Sequence, residues 1–68
     1  MAIREISRRE FQDYKNPGVN RIVVDYRADL IADCAGLPPP DESNVDSTCL
    51  CYQDFSFRAL TPNGWVVA

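Results

Sequence analysis

Between Val19 and Ala35 the chain runs V-N-R-I-V-V-D-Y-R-A-D-L-I-A-D-C-A. Its even positions, Ile22, Val24, Tyr26, Ala28, Leu30, Ala32 and Cys34, are apolar throughout. Its odd positions, Arg21, Val23, Asp25, Arg27, Asp29, Ile31 and Asp33, are mostly charged. A two-residue period of this kind predicts a strand with one buried and one wet face. The β-branched content makes Arg21 to Tyr26 its firmest part. Beyond Tyr26 two signals compete. Alanine favours helix, Ala and Asp are poor strand residues, and Gly36 and Pro38 stand where a helix stops. An uninterrupted strand would run for about fourteen residues, longer than most. The balance predicts a strand through Ala28 followed by one or two helical turns, with helix and strand both open over Ala28–Ala35.

Upstream, Ala2 to Ile6 reads as a strand stub or the lead-in to a helix. Ser7 and Glu10 have the spacing of a capping box, and Ile6 and Phe11 that of a hydrophobic staple. Together they predict a two-turn helix from Ser7 to about Lys15, with Phe11 and Tyr14 on its inner face. Asn16-Pro17-Gly18 ends it, since Pro17 disfavours helical geometry at Asn16.

Downstream, L-P-P-P-D-E-S-N-V-D-S from Leu37 to Ser47 is irregular: a proline run favours extended backbone, and the polar cluster after it favours turns. From Thr48 to Leu60 alternation returns, predicting a strand bulged or broken near Gln53-Asp54, with Phe55 and Phe57 as its core pair. Thr61-Pro62-Asn63-Gly64 is a turn, and Trp65-Val66-Val67 closes a hairpin. The expected class is α+β: one domain over residues 1–68, a short N-terminal helix on a small antiparallel sheet of three or more strands, and a C-terminal hairpin. Ile22, Val24, Tyr26, Phe11, Phe55, Phe57 and Trp65 are the candidate core. Asp25, Arg27, Asp54 and Arg58 are placed on the wet face, where opposite charges can pair.

Composition changes this picture at the surface. The 68 residues carry a net charge of −3, and from Ala28 to Asp54 there are six acids and no base. A surface built from that segment repels nucleic acid and anionic membrane and attracts a basic partner. No apolar run reaches the ~20 residues of a membrane span, and Met1 to Ile6 is too short and charged for a targeting segment. Three cysteines with no leader point to a reducing, cytoplasmic setting.

Catalytic chemistry finds little support. The chain has no histidine, which removes the commonest general base. Cys34, Cys49 and Cys51 lie in acidic or apolar sequence, which disfavours a reactive thiolate. One C-x-C with a distant third cysteine falls short of a structural zinc set. The glycines form no phosphate-binding loop, and the arginines at 4, 8 and 9 alternate with acids. No cofactor and no metal are expected.

The expected function is therefore that of a small acidic, non-enzymatic protein that binds and inhibits another protein with a basic surface, such as one used for nucleic acid. The expected binding residues are Asp25, Asp29, Asp33, Asp41, Glu42, Asp46, Tyr52 and Trp65. On a helix, Asp25, Asp29 and Asp33 would recur every ~6 Å as an anionic ridge; on a strand they would spread to ~13 Å. In size and acidity the chain resembles small virus- or plasmid-encoded inhibitors of host factors, on composition alone. The alternative is an assembly subunit or homo-oligomer, motivated by a small core, a C-terminal edge strand and an odd cysteine. A metal-binding or catalytic protein is the remaining possibility.

Overall fold

A computed structural model describes residues 3–68; Met1 and Ala2, and with them the start of the first apolar stretch, lie outside the described residues. Five strands form one mixed sheet in sequence order: β1 (Ile3–Gln12), β2 (Asn20–Ala28), β3 (Thr48–Cys51), β4 (Phe57–Thr61) and β5 (Gly64–Val67). The helical element among the described residues is a 3-10 helix, Ile31–Gly36. The expected α+β class is thus overturned.

The largest correction is at the N-terminus. Ser7 to Gln12 is not a helix but the second half of β1, paired antiparallel with β2 from Ile3↔Ala28 to Gln12↔Asn20. A two-turn helix in water is marginal whatever its cap, because nucleation is costly. The open edge of β2 offers the same residues a long hydrogen-bonded ladder instead. The register shifts between Glu5 and Ser7, so Ile6 sits at a bulge. As an edge strand β1 buries little: Phe11 is half exposed and Tyr14, in the following turn, lies in solvent.

The second correction concerns direction. β2 and β3 pair parallel, in the register Asp25↔Thr48 to Ala28↔Cys51. A parallel pair needs a crossover of a dozen residues or more, and the 3-10 helix with the Leu37–Ser47 segment supplies it. β3, β4 and β5 then follow as antiparallel hairpins. The expected break near Gln53-Asp54 is present as a turn between β3 and β4, where Phe55 adopts φ +56°. The expected turn at Thr61-Pro62-Asn63-Gly64 joins β4 to β5, with Gly64 at φ +119°, a conformation that favours glycine.

Side-chain alternation and register put Ile3, Val24, Tyr26, Ala28, Cys49, Cys51, Leu60 and Trp65 on one face. Ala28, Cys49 and Leu37 form the centre there, with Ile3, Tyr26, Cys34 and Trp65 packed around them. The Tyr26 and Trp65 rings meet edge to face at 6.1 Å. The 3-10 helix and the crossover cover this face, and Trp65 Nε1 donates to the Pro38 carbonyl oxygen at 2.9 Å, tying the cover down. Val23 is buried as well as Val24, so β2 is enclosed on both sides at its middle and the simple alternation fails there. Phe55 and Phe57, expected in the core, are exposed. The turn that breaks the strand carries Phe55 out, and the β3 register puts Phe57 on the uncovered face, opposite Leu50.

Candidate functional site

Half of the six acidic residues singled out in the sequence are already engaged by arginines of the first 21 residues. Asp25 accepts from Ser7 Oγ at 2.6 Å and Thr48 Oγ1 at 2.7 Å, and pairs with Arg9 at 3.4 Å. Asp29 pairs with Arg4 at 3.2 Å. Asp46, at φ 82°, pairs with Arg21 at 3.1 Å, and Arg21 also meets Asp13 and the Val45 carbonyl oxygen. Asp33 lies in the 3-10 helix and accepts from the Leu30 amide at 3.1 Å. Asp25 on a strand, Asp29 beyond its end and Asp33 on the 3-10 helix therefore form no ridge.

Tyr52 is exposed and stacks under the Arg4 guanidinium, 5.8 Å from ring centre to Cζ. Trp65 is half-buried and spends its indole N–H on Pro38. Both aromatics thus have structural partners.

Asp41 and Glu42 are different. Among the described residues neither takes part in an ion pair, and both are exposed. Asp41 Oδ1 accepts from the Ser43 amide at 2.7 Å, from Ser43 Oγ at 2.5 Å and from the Asn44 amide at 3.0 Å. Those donors, the Ser43 hydroxyl first, hold its carboxyl below the usual aspartate range and so keep a fixed anion there. Asn44 fastens the other side of the turn by accepting from the Asp41 amide and donating to the Pro39 carbonyl oxygen. Three prolines lead into the turn, and their fixed φ limits the conformations open to that segment.

The turn borders an open cleft of about 290 Å³ lined by Pro40, Asp41, Glu42, Val45 and Pro62. Its walls are apolar and its two carboxylates are charged. The crossover and the β4–β5 turn meet here because Asp46 N donates to Leu60 O and Leu60 N donates to Ser47 O. Pro40, Val45 and Pro62 are not among the residues the sequence points to. Each belongs to a segment recognisable as loop or turn, but no sequence signal brings positions 40–45 beside 62.

The thiols have a different character. Burial, then the neighbouring Cys34 thiol, push Cys49 up to about 11, far from the range of a nucleophilic cysteine. All three cysteines are free. Among the described residues no group of three or more Cys, Asp or Glu side chains converges as a metal site. No described helix is long and apolar enough to cross a membrane.

Asp25 supplies a pH prediction. The Ser7 and Thr48 hydroxyls and the Arg9 charge lower its folded pKa below the ordinary 3.8. A depressed carboxylate contributes stability above the unfolded value, and that contribution is lost as pH falls through the folded one. Urea unfolding should therefore be nearly flat from about pH 7 to 5 and weaken progressively below 3.8. Asp25→Asn should lower stability at neutral pH and make the acid limb shallower; an acid limb identical to wild type would deny Asp25 this role.

Comparison with known proteins gives no match to any family model, curated protein or solved structure. The class that fold and geometry define is a small, mixed-sheet acidic domain with an anionic cleft of apolar walls.

Proposed function

We propose that this chain is a small non-enzymatic protein of the cytoplasm that binds another protein and inhibits it by occupying a basic segment, such as one that otherwise meets nucleic acid. The observation that carries this reading is the cleft lined by Pro40, Asp41, Glu42, Val45 and Pro62, where two carboxylates that form no ion pair among the described residues flank apolar walls. A lysine or arginine side chain suits such a place, because its aliphatic stem lies on proline and valine while its charged end meets Asp41 or Glu42. Asp41 is held in position before binding by the Ser43 and Asn44 donors, which reduces the ordering cost of association. The net charge of −3 adds long-range attraction to a basic partner and disfavours direct contact with nucleic acid or anionic membrane. Three free thiols support the reducing compartment. The raised Cys49 pKa and the lack of histidine support a binding role over catalysis.

The structure narrows the test to two residues. Asp41→Asn retains a turn-forming acceptor while removing the charge, and Glu42→Lys reverses the other anion. Affinity purification with the wild-type chain should retain a basic protein in a salt-sensitive manner. The double variant should weaken that interaction by about tenfold or more. Arg4→Gln/Asp29→Asn, which neutralises an existing pair, should leave it unchanged. Equal retention by wild type and the Asp41/Glu42 double variant at low salt would remove the cleft from the interaction.

A further inference from the structure

The two edges of the sheet are built differently. β1 carries Arg4, Glu5, Arg8, Arg9 and Glu10 and a bulge at Ile6, the devices that discourage another strand from pairing with an edge. β5, Gly64–Val67, has no charge, no proline and no bulge. Its Val66 and Val67 side chains are exposed, at 47% and 61%. We propose that the free edge of β5 is a self-association surface, and that its occupant is β5 of a second copy of this chain, joined antiparallel about a two-fold axis at Val66.

The register of the β4–β5 hairpin fixes how this happens. Ala68 N donates to Phe57 O at 2.7 Å, and Ala59 pairs with Val66. Hydrogen-bonded pairs alternate along an antiparallel ladder, so the backbone groups of Val66 face β4 and those of Trp65 and Val67 face outward. An outward set at Trp65 and Val67 is self-complementary. Trp65 of each copy falls opposite Val67 of the other, with an N–H and a C=O exchanged at each pair, giving four hydrogen bonds. Val66 meets its own symmetry mate as the non-hydrogen-bonded, closer pair. Val67 is then covered by the partner's Trp65 on one face. On the other face the paired Val66 side chains extend the apolar surface that begins at exposed Phe57.

Charge does not oppose this occupant at the edge itself. Two copies of a chain with net charge −3 repel one another on average, and β5 is a stretch of edge where neither brings a charged side chain. The interface is small beside the roughly 1,200–2,000 Å² of a tight complex, so association is reversible and concentration-dependent. It leaves the Asp41–Glu42 cleft open, and so goes beyond the proposed binding role without resting on it.

Sedimentation equilibrium of the full chain tests this directly. The 7.7 kDa monomer should give way to twice that mass as concentration rises to about 200 µM. Val67→Pro removes an outward donor and leaves the inward ladder intact, and Val66→Lys sets two like charges opposite each other at the axis. Each should return the mass to 7.7 kDa with an unchanged circular dichroism spectrum. Should Val67→Pro fail to fold, Val66→Lys decides alone. A wild-type chain that stays monomeric throughout, or a dimer that survives Val66→Lys, overturns the proposal.

Discussion

Leu60→Ala is expected to leave most of the chain unfolded at room temperature without denaturant. Leu60 is the largest side chain that is fully enclosed, with 1% of its surface exposed. It lies in β4 at the point where the crossover returns, its amide donating to Ser47 O and its carbonyl oxygen accepting from Asp46 N. Truncating a buried leucine costs about 2–5 kcal/mol, the spread reflecting how far the surroundings collapse into the space. A single-core domain of this length holds only about 3–5 kcal/mol in reserve. The two quantities are comparable, so one substitution exhausts the margin. Far-ultraviolet circular dichroism and urea titration measure the outcome. Ile6→Ala, at an exposed bulge position, serves as the comparison and should stay within about 0.5 kcal/mol of wild type. A Leu60→Ala midpoint equal to that of Ile6→Ala would show that β4 is not where the fold is held.

Ser47→Ala is expected to cost about 1–3 kcal/mol although it deletes a single oxygen. Ser47 is 1% exposed, and its hydroxyl both accepts from the Val24 amide at 3.1 Å and donates to Asn44 O at 2.7 Å. The parallel ladder begins one residue later, at Asp25↔Thr48, so the Ser47 hydroxyl does for Val24 what backbone does for its successors. With that acceptor gone, the Val24 amide is left buried without a partner. Hydrogen exchange gives a specific readout: the Val24 amide should exchange faster in the variant by more than the global loss of stability accounts for. If Val24 slows or is unchanged relative to its neighbours, the hydroxyl is not its acceptor in solution.

What the sequence disclosed depended on how local each determinant was. Arg21 to Tyr26 was legible as strand because β-branching and alternation agree within a few residues. The Thr61–Gly64 turn was legible because Pro62, Asn63 and Gly64 each suit their turn positions. Ala28–Ala35 stayed open between helix and strand because alternation and local propensity disagree there; the structure ends β2 at Ala28 and places a 3-10 helix at Ile31–Gly36. Ser7 to Gln12 was misread from local signals alone. A cap spacing is visible locally, whereas the partner strand that outcompetes it begins at Asn20. The parallel pairing and the cleft were not legible at all, because both depend on where the crossover lands. Among the eight residues expected to bind, only Asp41 and Glu42 line the cleft. Asp25, Asp29 and Asp46 have arginine partners from the first 21 residues, a neutralisation invisible to a count of charge along the chain.

The parallel β2–β3 pair also carries an expectation for the rate of folding. β1 with β2, β3 with β4 and β4 with β5 are joined by short turns, and hairpins of that kind close in about 1–10 µs. β2 and β3 are separated by the whole crossover from Asp29 to Ser47, whose ends must meet before their ladder returns any free energy. Closure of the crossover between Ala28 and Thr48 is therefore the expected slow step of folding. Ser47, at the seam, should then slow refolding when truncated, while substitutions in the β1 edge should chiefly quicken unfolding.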